Sequence, residues 1–225
     1  MRNVRAPIPD LDELNRVSRS FESAPPSAVI EWAVERFGSG LVLASSFRDC
    51  VLIDLATQVV PEVEVVFLDT QYHFAETLWY VDTVRRRYDL RLRIIEPDIE
   101  PDDRWLDDPD ACCAARKVVP MAKALAGREA WMTGLRRDEA HTRANAPIVG
   151  YDVGRGMVKV NPIATWTDED VRGYVADHDI IVNPLVLDGY TSIGCMPCTV
   201  KPTDPSDPRS GRWAGRDKTE CGLHV

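Results

Sequence analysis

Two of the six cysteines, Cys112 and Cys113, are adjacent, and two others, Cys195 and Cys198, form a C-x-x-C pair in "GCMPCT". A disulfide between neighbours is disfavoured, because consecutive Cα atoms lie about 3.8 Å apart and a relaxed disulfide needs roughly 4.4–6.8 Å. Four thiolates in two close pairs suit either a tetrahedral Zn²⁺ or an iron–sulfur cluster. Thiols on adjacent residues diverge in direction, which favours a cluster with separated iron corners over one small ion. C-x-x-C alone also fits a redox motif, a zinc knuckle or coincidence. Cys221 stands in polar surroundings, "KTECGLHV", with Lys218 and His224 three residues away on either side. Nearby cations favour a reactive thiolate, although Glu220 opposes them. The plainer alternative is an incidental cysteine. Cys50, inside the apolar run "DCVLIDLA", reads as a buried structural residue.

The composition sets limits on the partners. With 27 Lys and Arg against 36 Asp and Glu, the net charge of −9 disfavours nonspecific nucleic-acid binding. Residues 110–145 nevertheless carry +3 and residues 201–225 carry +1, leaving −13 for the rest. Two locally basic segments on an acidic chain point to a small anionic ligand; a solvated surface of mixed charge is the alternative. No run reaches the ~18 apolar residues of a membrane span. "MRNVRAPIPDLDELNR" has no apolar core of a signal peptide, so the expected location is the cytoplasm, where thiols stay reduced.

Regular elements must position these groups. Apolar strand-like runs recur near residues 41, 64, 92 and 130 in "GLVLASS", "VEVVFLDT", "LRLRII" and "EAWMTGLRRDE". Helical patterns lie between them: "SAVIEWAVERFG" capped by Ser27, "DCVLIDLATQVV", "FAETLWYVDTVRRRY" and "CCAARKVVPMAKALAG". This alternation predicts βαβ units and a parallel sheet, with ligands bound beyond the carboxyl ends of the strands. "YDVGRGMVKV" predicts a hairpin around Gly154 and Gly156, and Thr167 a helix cap before "DEDVRGYVADHD". The expected organisation is an α/β nucleotide-binding domain over 1–200 and a mobile tail over 201–225.

"CCAARKVVP", "GCMPCT" and "ECGLH" together resemble the assimilatory adenylyl-sulfate (APS) reductases of bacteria and plants, relatives of the PAPS reductases. "FLDTQYHFAETL" is similar to the family's "LDTG-x-x-F-x-ET-L" segment, and "GLRRDEAHTRA" to its "G-x-RRDQ-x-x-TR" loop. The resemblance runs from about residue 40 to the C-terminus. It implies an adenine-nucleotide α-hydrolase-like α/β fold, related to ATP pyrophosphatases, with a parallel twisted sheet flanked by helices. It also implies a [4Fe–4S] cluster on Cys112, Cys113, Cys195 and Cys198. Cys221 would attack the sulfur of APS and expel AMP. Thioredoxin would then attack the S-sulfocysteine and release sulfite. Lys117 would stabilise charge between cluster and sulfate. Arg143, Arg209 and Arg212 would clamp sulfate and phosphate, with Arg136 and Arg137 serving either this purpose or structural salt bridges. Ser45 and Ser46 would bind phosphate at a helix N-terminus. Leu68, Asp69 and Thr70, with Thr133 and Gly134, would contact adenine and ribose. His224 is a candidate for orienting or activating Cys221, with a solvated histidine as the alternative. The resemblance is compatible with a homo-oligomer.

One stretch departs from the pattern. Where ATP pyrophosphatases carry a glycine-rich S-G-G-x-D-S loop, this chain has "LASSFRDCVL", without glycine and with Arg48 in the middle. Phosphate would then be held by helix-terminal N–H groups and Arg48, and ATP hydrolysis is not expected. The rival readings are a PAPS or dual-specificity reductase, a tRNA-thiolating pyrophosphatase, and a non-enzymatic iron–sulfur or zinc redox sensor.

Overall fold

The computed structural model describes residues 9–202, 204 and 207–223. The chain runs α1 (Leu11–Ser20), α2 (Pro26–Phe37), β1 (Leu41–Ala44), α3 (Val51–Val59), β2 (Glu64–Leu68), α4 (Ala75–Arg87) and β3 (Arg91–Ile95). It continues through α5 (Arg104–Asp107), α6 (Pro109–Cys113), a π-helical turn (Ala114–Val118), α7 (Val119–Ala124) and β4 (Ala130–Thr133). β5 (Val149–Asp152), β6 (Met157–Val160), α8 (Asp168–Asp177) and α9 (Pro184–Leu187) complete it. Six strands form one mostly parallel sheet in the order β3-β2-β1-β4-β6-β5. β1–β4 and β4–β6 are parallel, and β5–β6 is the antiparallel hairpin expected around Gly154 and Gly156. The α/β fold class expected from strand–helix alternation is the one observed. Among the described residues no helix is long and apolar enough to cross a membrane.

Contacts divide the chain into two units. One comprises residues 1–44, 51–65 and 127–179. Its core is the β1–β4 pair, in register from Leu41↔Ala130 to Ala44↔Thr133, with Trp131 and Ile30 fully buried. β4 is buried along its whole length, as strands covered on both faces must be. The Ser18 hydroxyl accepts from the N–H groups of Ile148 and Val149 at 3.0 and 3.2 Å, tying α1 to the start of β5. Thr167 caps α8 through a capping box with Asp170, as expected. The cap of α2 differs from expectation. Pro25, extended at φ −66° and ψ 150°, takes the cap and Pro26 opens the helix, so Ser27 already lies inside the first turn. A proline ring fixes φ near the helical value and has no N–H to leave unsatisfied, which outweighs serine's capping preference here.

The other unit comprises residues 45–50, 66–126 and 180–225. It contains α4 to α7, β3, α9 and the C-terminal segment. The expected single helix over "CCAARKVVPMAKALAG" is broken into α6, the π-turn and α7. Pro120 explains the break: it has no N–H for the carbonyl of Arg116, and its ring clashes there in α geometry. Widening by a π-turn relieves the clash, and such turns recur at functional sites. The widened turn carries Arg116 and Lys117.

Candidate active site

The second unit gathers the chemistry-bearing residues. Cys112, Cys113, Cys195 and Cys198 line one cleft together with Arg116, Lys117, Tyr72, Trp105 and Trp213. α6 and the π-turn deliver the first pair with Arg116 and Lys117; a 3₁₀ turn, Met196–Cys198, delivers the second. None of the six cysteines is in a disulfide. Cys112, Cys113 and Cys195 are buried, and the Thr70 hydroxyl lies 3.2 Å from the Cys195 sulfur. The segment 68–72 is tied to the second cysteine pair again by the Met196 N–H, which donates to the Tyr72 carbonyl at 2.7 Å.

Burial raises the thiol pKa of Cys112, Cys113 and Cys198, and neighbouring thiolates add to it; Cys113 is pushed up to about 11. With Cys195 they make a set of four sulfur donors lining one cleft, a donor set that fits a metal cofactor. Among the described residues no group of three or more His, Cys, Asp or Glu side chains is arranged to hold a single metal ion.

Cys221 behaves differently. Burial would raise its pKa, but Lys117, the Leu223 N–H and Arg212 outweigh burial and lower it. Burial alone would also lower Lys117, yet the charges of Cys195, Cys221 and Cys113 hold it high. Lys117 therefore has cysteine sulfurs for neighbours, and among the described residues it has no carboxylate ion-pair partner. Arg212 donates to Ser192 Oγ at 3.2 Å and to the Ile193 carbonyl at 3.3 Å, and its guanidinium lies 4.5 Å over Trp213. A Cβ on Gly194 would collide with the Arg212 guanidinium, so the glycine before Cys195 leaves room for this arginine.

The segment bearing Cys221 is docked on its own unit. Arg209 donates to the Thr219 carbonyl at 2.8 Å and pairs with Glu220; Arg216 donates to the Leu106 carbonyl at 2.8 Å. Lys218 pairs with Asp110 and faces the Trp213 ring.

Residues 40–201 match the model of the phosphoadenosine phosphosulfate reductase domain. The chain belongs to this family. It is 50% identical over 235 aligned positions to a Rhodococcus opacus protein named adenosine 5'-phosphosulfate reductase, covering 96% of this chain and 95% of that protein. A Streptomyces coelicolor protein of the same name is 49% identical over 217 positions, covering 93% and 92%. A crystal structure of phosphoadenylyl-sulfate reductase from Candida auris, a phosphate complex, superposes with a TM-score of 0.77 at 26% identity. That match covers 85% of this chain and 98% of the other. FMN adenylyltransferase from Candida glabrata shares the fold, with a TM-score of 0.64 at 14% identity over 86% of this chain and 67% of that one.

The other expected site residues of this reductase-family chain have identifiable neighbours. Ser45 Oγ accepts from the Phe47 N–H at 3.1 Å, and Ser46 is exposed. Phe47, fully buried, takes φ 54°, a left-handed conformation that favours glycine, in a loop that has none. Arg48 donates to the Thr191 carbonyl at 2.9 Å. The Leu68 carbonyl bonds His73 Nε2 at 2.9 Å, and Asp69 Oδ1 accepts from the Gln71 N–H at 2.8 Å. Cys50 is fully buried, as its sequence context suggested. In the first unit, Thr133 ends β4 and Gly134 follows it. Arg136 pairs with Asp138, Glu139 and Asp168, Arg137 donates to both carboxylate oxygens of Glu22 at 2.7 Å each, and Arg143 pairs with Glu139. His224 lies outside the described residues. Sequence reasoning missed Arg116, Trp213 and Gly194. Only the "RK" after the cysteines and the glycine before Cys195 signalled them.

Proposed function

We propose that this chain is a thioredoxin-dependent adenylyl-sulfate reductase, forming sulfite and AMP in sulfate assimilation and cysteine biosynthesis. The observation that carries the reading is a thiol, Cys221, whose pKa is lowered against burial by Arg212 and by Lys117, a residue that lines the cleft of the four clustered cysteines. The Cys221 thiolate attacks the sulfur of APS. The bond from that sulfur to the phosphate oxygen breaks, AMP leaves with the electron pair, and Cys221 becomes S-sulfocysteine. Lys117 and Arg212 offset the negative charge of the sulfonyl group and phosphate as they approach the thiolate. Thioredoxin's nucleophilic thiolate then attacks the Cys221 sulfur and sulfite departs. Its second thiol resolves the mixed disulfide, so thioredoxin is oxidised by two electrons and Cys221 is restored.

Cys112, Cys113, Cys195 and Cys198 would hold a [4Fe–4S] cluster, whose chemistry here is electrostatic and structural rather than electron delivery. Ser45, Ser46, Leu68, Asp69, Thr70 and Gly134 serve the nucleotide. Arg136, Arg143 and Arg209 serve the anion or the loops that hold it. His224 orients Cys221. Residues 1–200 form the nucleotide domain and 201–225 the segment that presents Cys221 first to APS, then to thioredoxin. The working location is the cytoplasm. The second reading, a PAPS or dual-specificity reductase, draws on the Candida auris likeness, and sulfite release from the two nucleotides separates them.

The decisive experiment is mass spectrometry after mixing with APS, with Cys221→Ser alongside. A sulfonate adduct on Cys221, and no sulfite from the variant, is expected. Sulfite at the wild-type rate from Cys221→Ser would overturn the proposal.

A further inference from the structure

Gln71 has a backbone conformation that its side chain does not favour. Its φ is 69°, in the left-handed region, where a long side chain is strained and glycine is at ease. The corresponding position in the resembling family segment, "LDTG", is glycine. Something must retain a glutamine here, and its side-chain contact is specific. Gln71 Oε1 accepts a hydrogen bond from Arg116 Nη1.

Arg116 is 1% exposed, a charged group that must be matched on every side. Its Nη2 donates to the Glu100 carbonyl at 2.6 Å and pairs with Asp102 at 3.5 Å. The guanidinium lies 4.6 Å over the Tyr72 ring, and Nε is buried with no partner. Gln71 therefore supplies the side-chain acceptor on Nη1. The π-turn places Arg116 on the wall of the cleft that the four cysteines line. An amide satisfies Nη1 without adding charge. A carboxylate there would be a second anion beside Asp102 and would cancel the cation.

We propose that Gln71 is a positioning residue: it fixes the Arg116 guanidinium on the wall of the four-cysteine cleft and so maintains a positive field over the four-thiol site. This rests on the reading that the cleft holds an iron–sulfur cluster.

The test compares Gln71→Gly, Gln71→Met and Gln71→Glu with wild type, all purified anaerobically. Glycine relieves the backbone and removes the acceptor, whereas methionine keeps side-chain length and strain but also removes the acceptor. Both should lose the cluster's visible absorbance in air about tenfold faster than wild type, the lower end of what removing an outer-shell partner costs. Glutamate keeps the acceptor, so cluster retention should stay within about twofold of wild type while the midpoint potential falls. A merely structural role would leave that potential unmoved. Chromophore present in wild type and bleaching equally slowly in the glycine and methionine variants would overturn this inference alone. Wild type free of any iron–sulfur chromophore would overturn the cluster reading, and the inference with it.

Discussion

Replacing Asn183 with alanine tests how the glycine-free loop at 45–50 is held. Asn183 is fully buried, and its amide N–H₂ donates to the Phe47 carbonyl at 3.1 Å and to Thr77 Oγ1 at 3.3 Å. Its Oδ1 accepts from the Leu185 N–H at 3.0 Å, capping α9. Phe47 is strained by about 1–2 kcal/mol at its left-handed φ. It is kept there by this bond, by Ser45 Oγ, and by edge contacts with Phe67 and Tyr80 at 5.3 and 6.4 Å. Alanine removes a cap worth about 1 kcal/mol and strands the buried Phe47 carbonyl at about 1–3 kcal/mol. A total near 3 kcal/mol lowers Tm by roughly 6–12 °C for a chain of this size. Only the Phe47 bond, about 1 kcal/mol, acts on the loop's conformation. That corresponds to a rise in KM for APS of about fivefold, with kcat unchanged. Asn183→Ser separates the two effects, because serine can cap α9 but is too short to reach Phe47. It should recover part of the Tm and none of the KM. Thermal unfolding and steady-state sulfite release supply both numbers. A lowered Tm with unchanged KM would refute the idea that the Phe47 conformation prepares the phosphate loop.

Two further variants probe the thiol and its delivery. Lys117→Ala should lower kcat by about 10²–10³-fold, the usual effect of losing a preorganised charge-stabilising group, with iron content near wild type; loss of iron would make the lysine structural instead. Lys218→Ala should release the terminal segment, because Lys218 is 7% exposed in its pair with Asp110. Alkylation of Cys221, followed by mass spectrometry, should quicken by up to about fivefold, the ceiling set by a pair whose carboxylate is 83% exposed. An unchanged rate would mean that Arg209 and Arg216 hold the segment without it.

Most of the framework was legible because it obeys local rules. The strands at Leu41–Ala44, Glu64–Leu68 and Ala130–Thr133 are apolar runs between turn residues, and Thr167 with Asp170 is a cap written in sequence. The failures are non-local or involve proline. The π-turn arises from Pro120 acting on a carbonyl four residues earlier, which helical periodicity does not register. The left-handed conformations of Phe47 and Gln71 could not be read from residue type, since both residues disfavour them. Each is held by a partner far along the chain, Asn183 or Arg116. Cysteine spacing did announce the four-thiol cleft, because few other roles need C-C and C-x-x-C together.

What the sequence could not do was sort the cations. Arg136, Arg137, Arg143 and Arg209 sit in motifs that suggest anion binding, yet each has a carboxylate partner in the structure. Lys117 and Arg212 have none among the described residues. Their neighbours are thiols, backbone carbonyls, a hydroxyl and an aromatic face. A paired arginine must give up a carboxylate before it can take an oxyanion, so its net gain on binding is small. An unpaired cation held in place by packing gives up only water. In the proposed reaction the same preorganisation would serve a thiolate and a sulfonyl group in turn, since both present negative charge to one point. On the proposed mechanism Lys117 and Arg212, which lower the pKa of Cys221, would also be the groups that bring the attacked sulfur within reach.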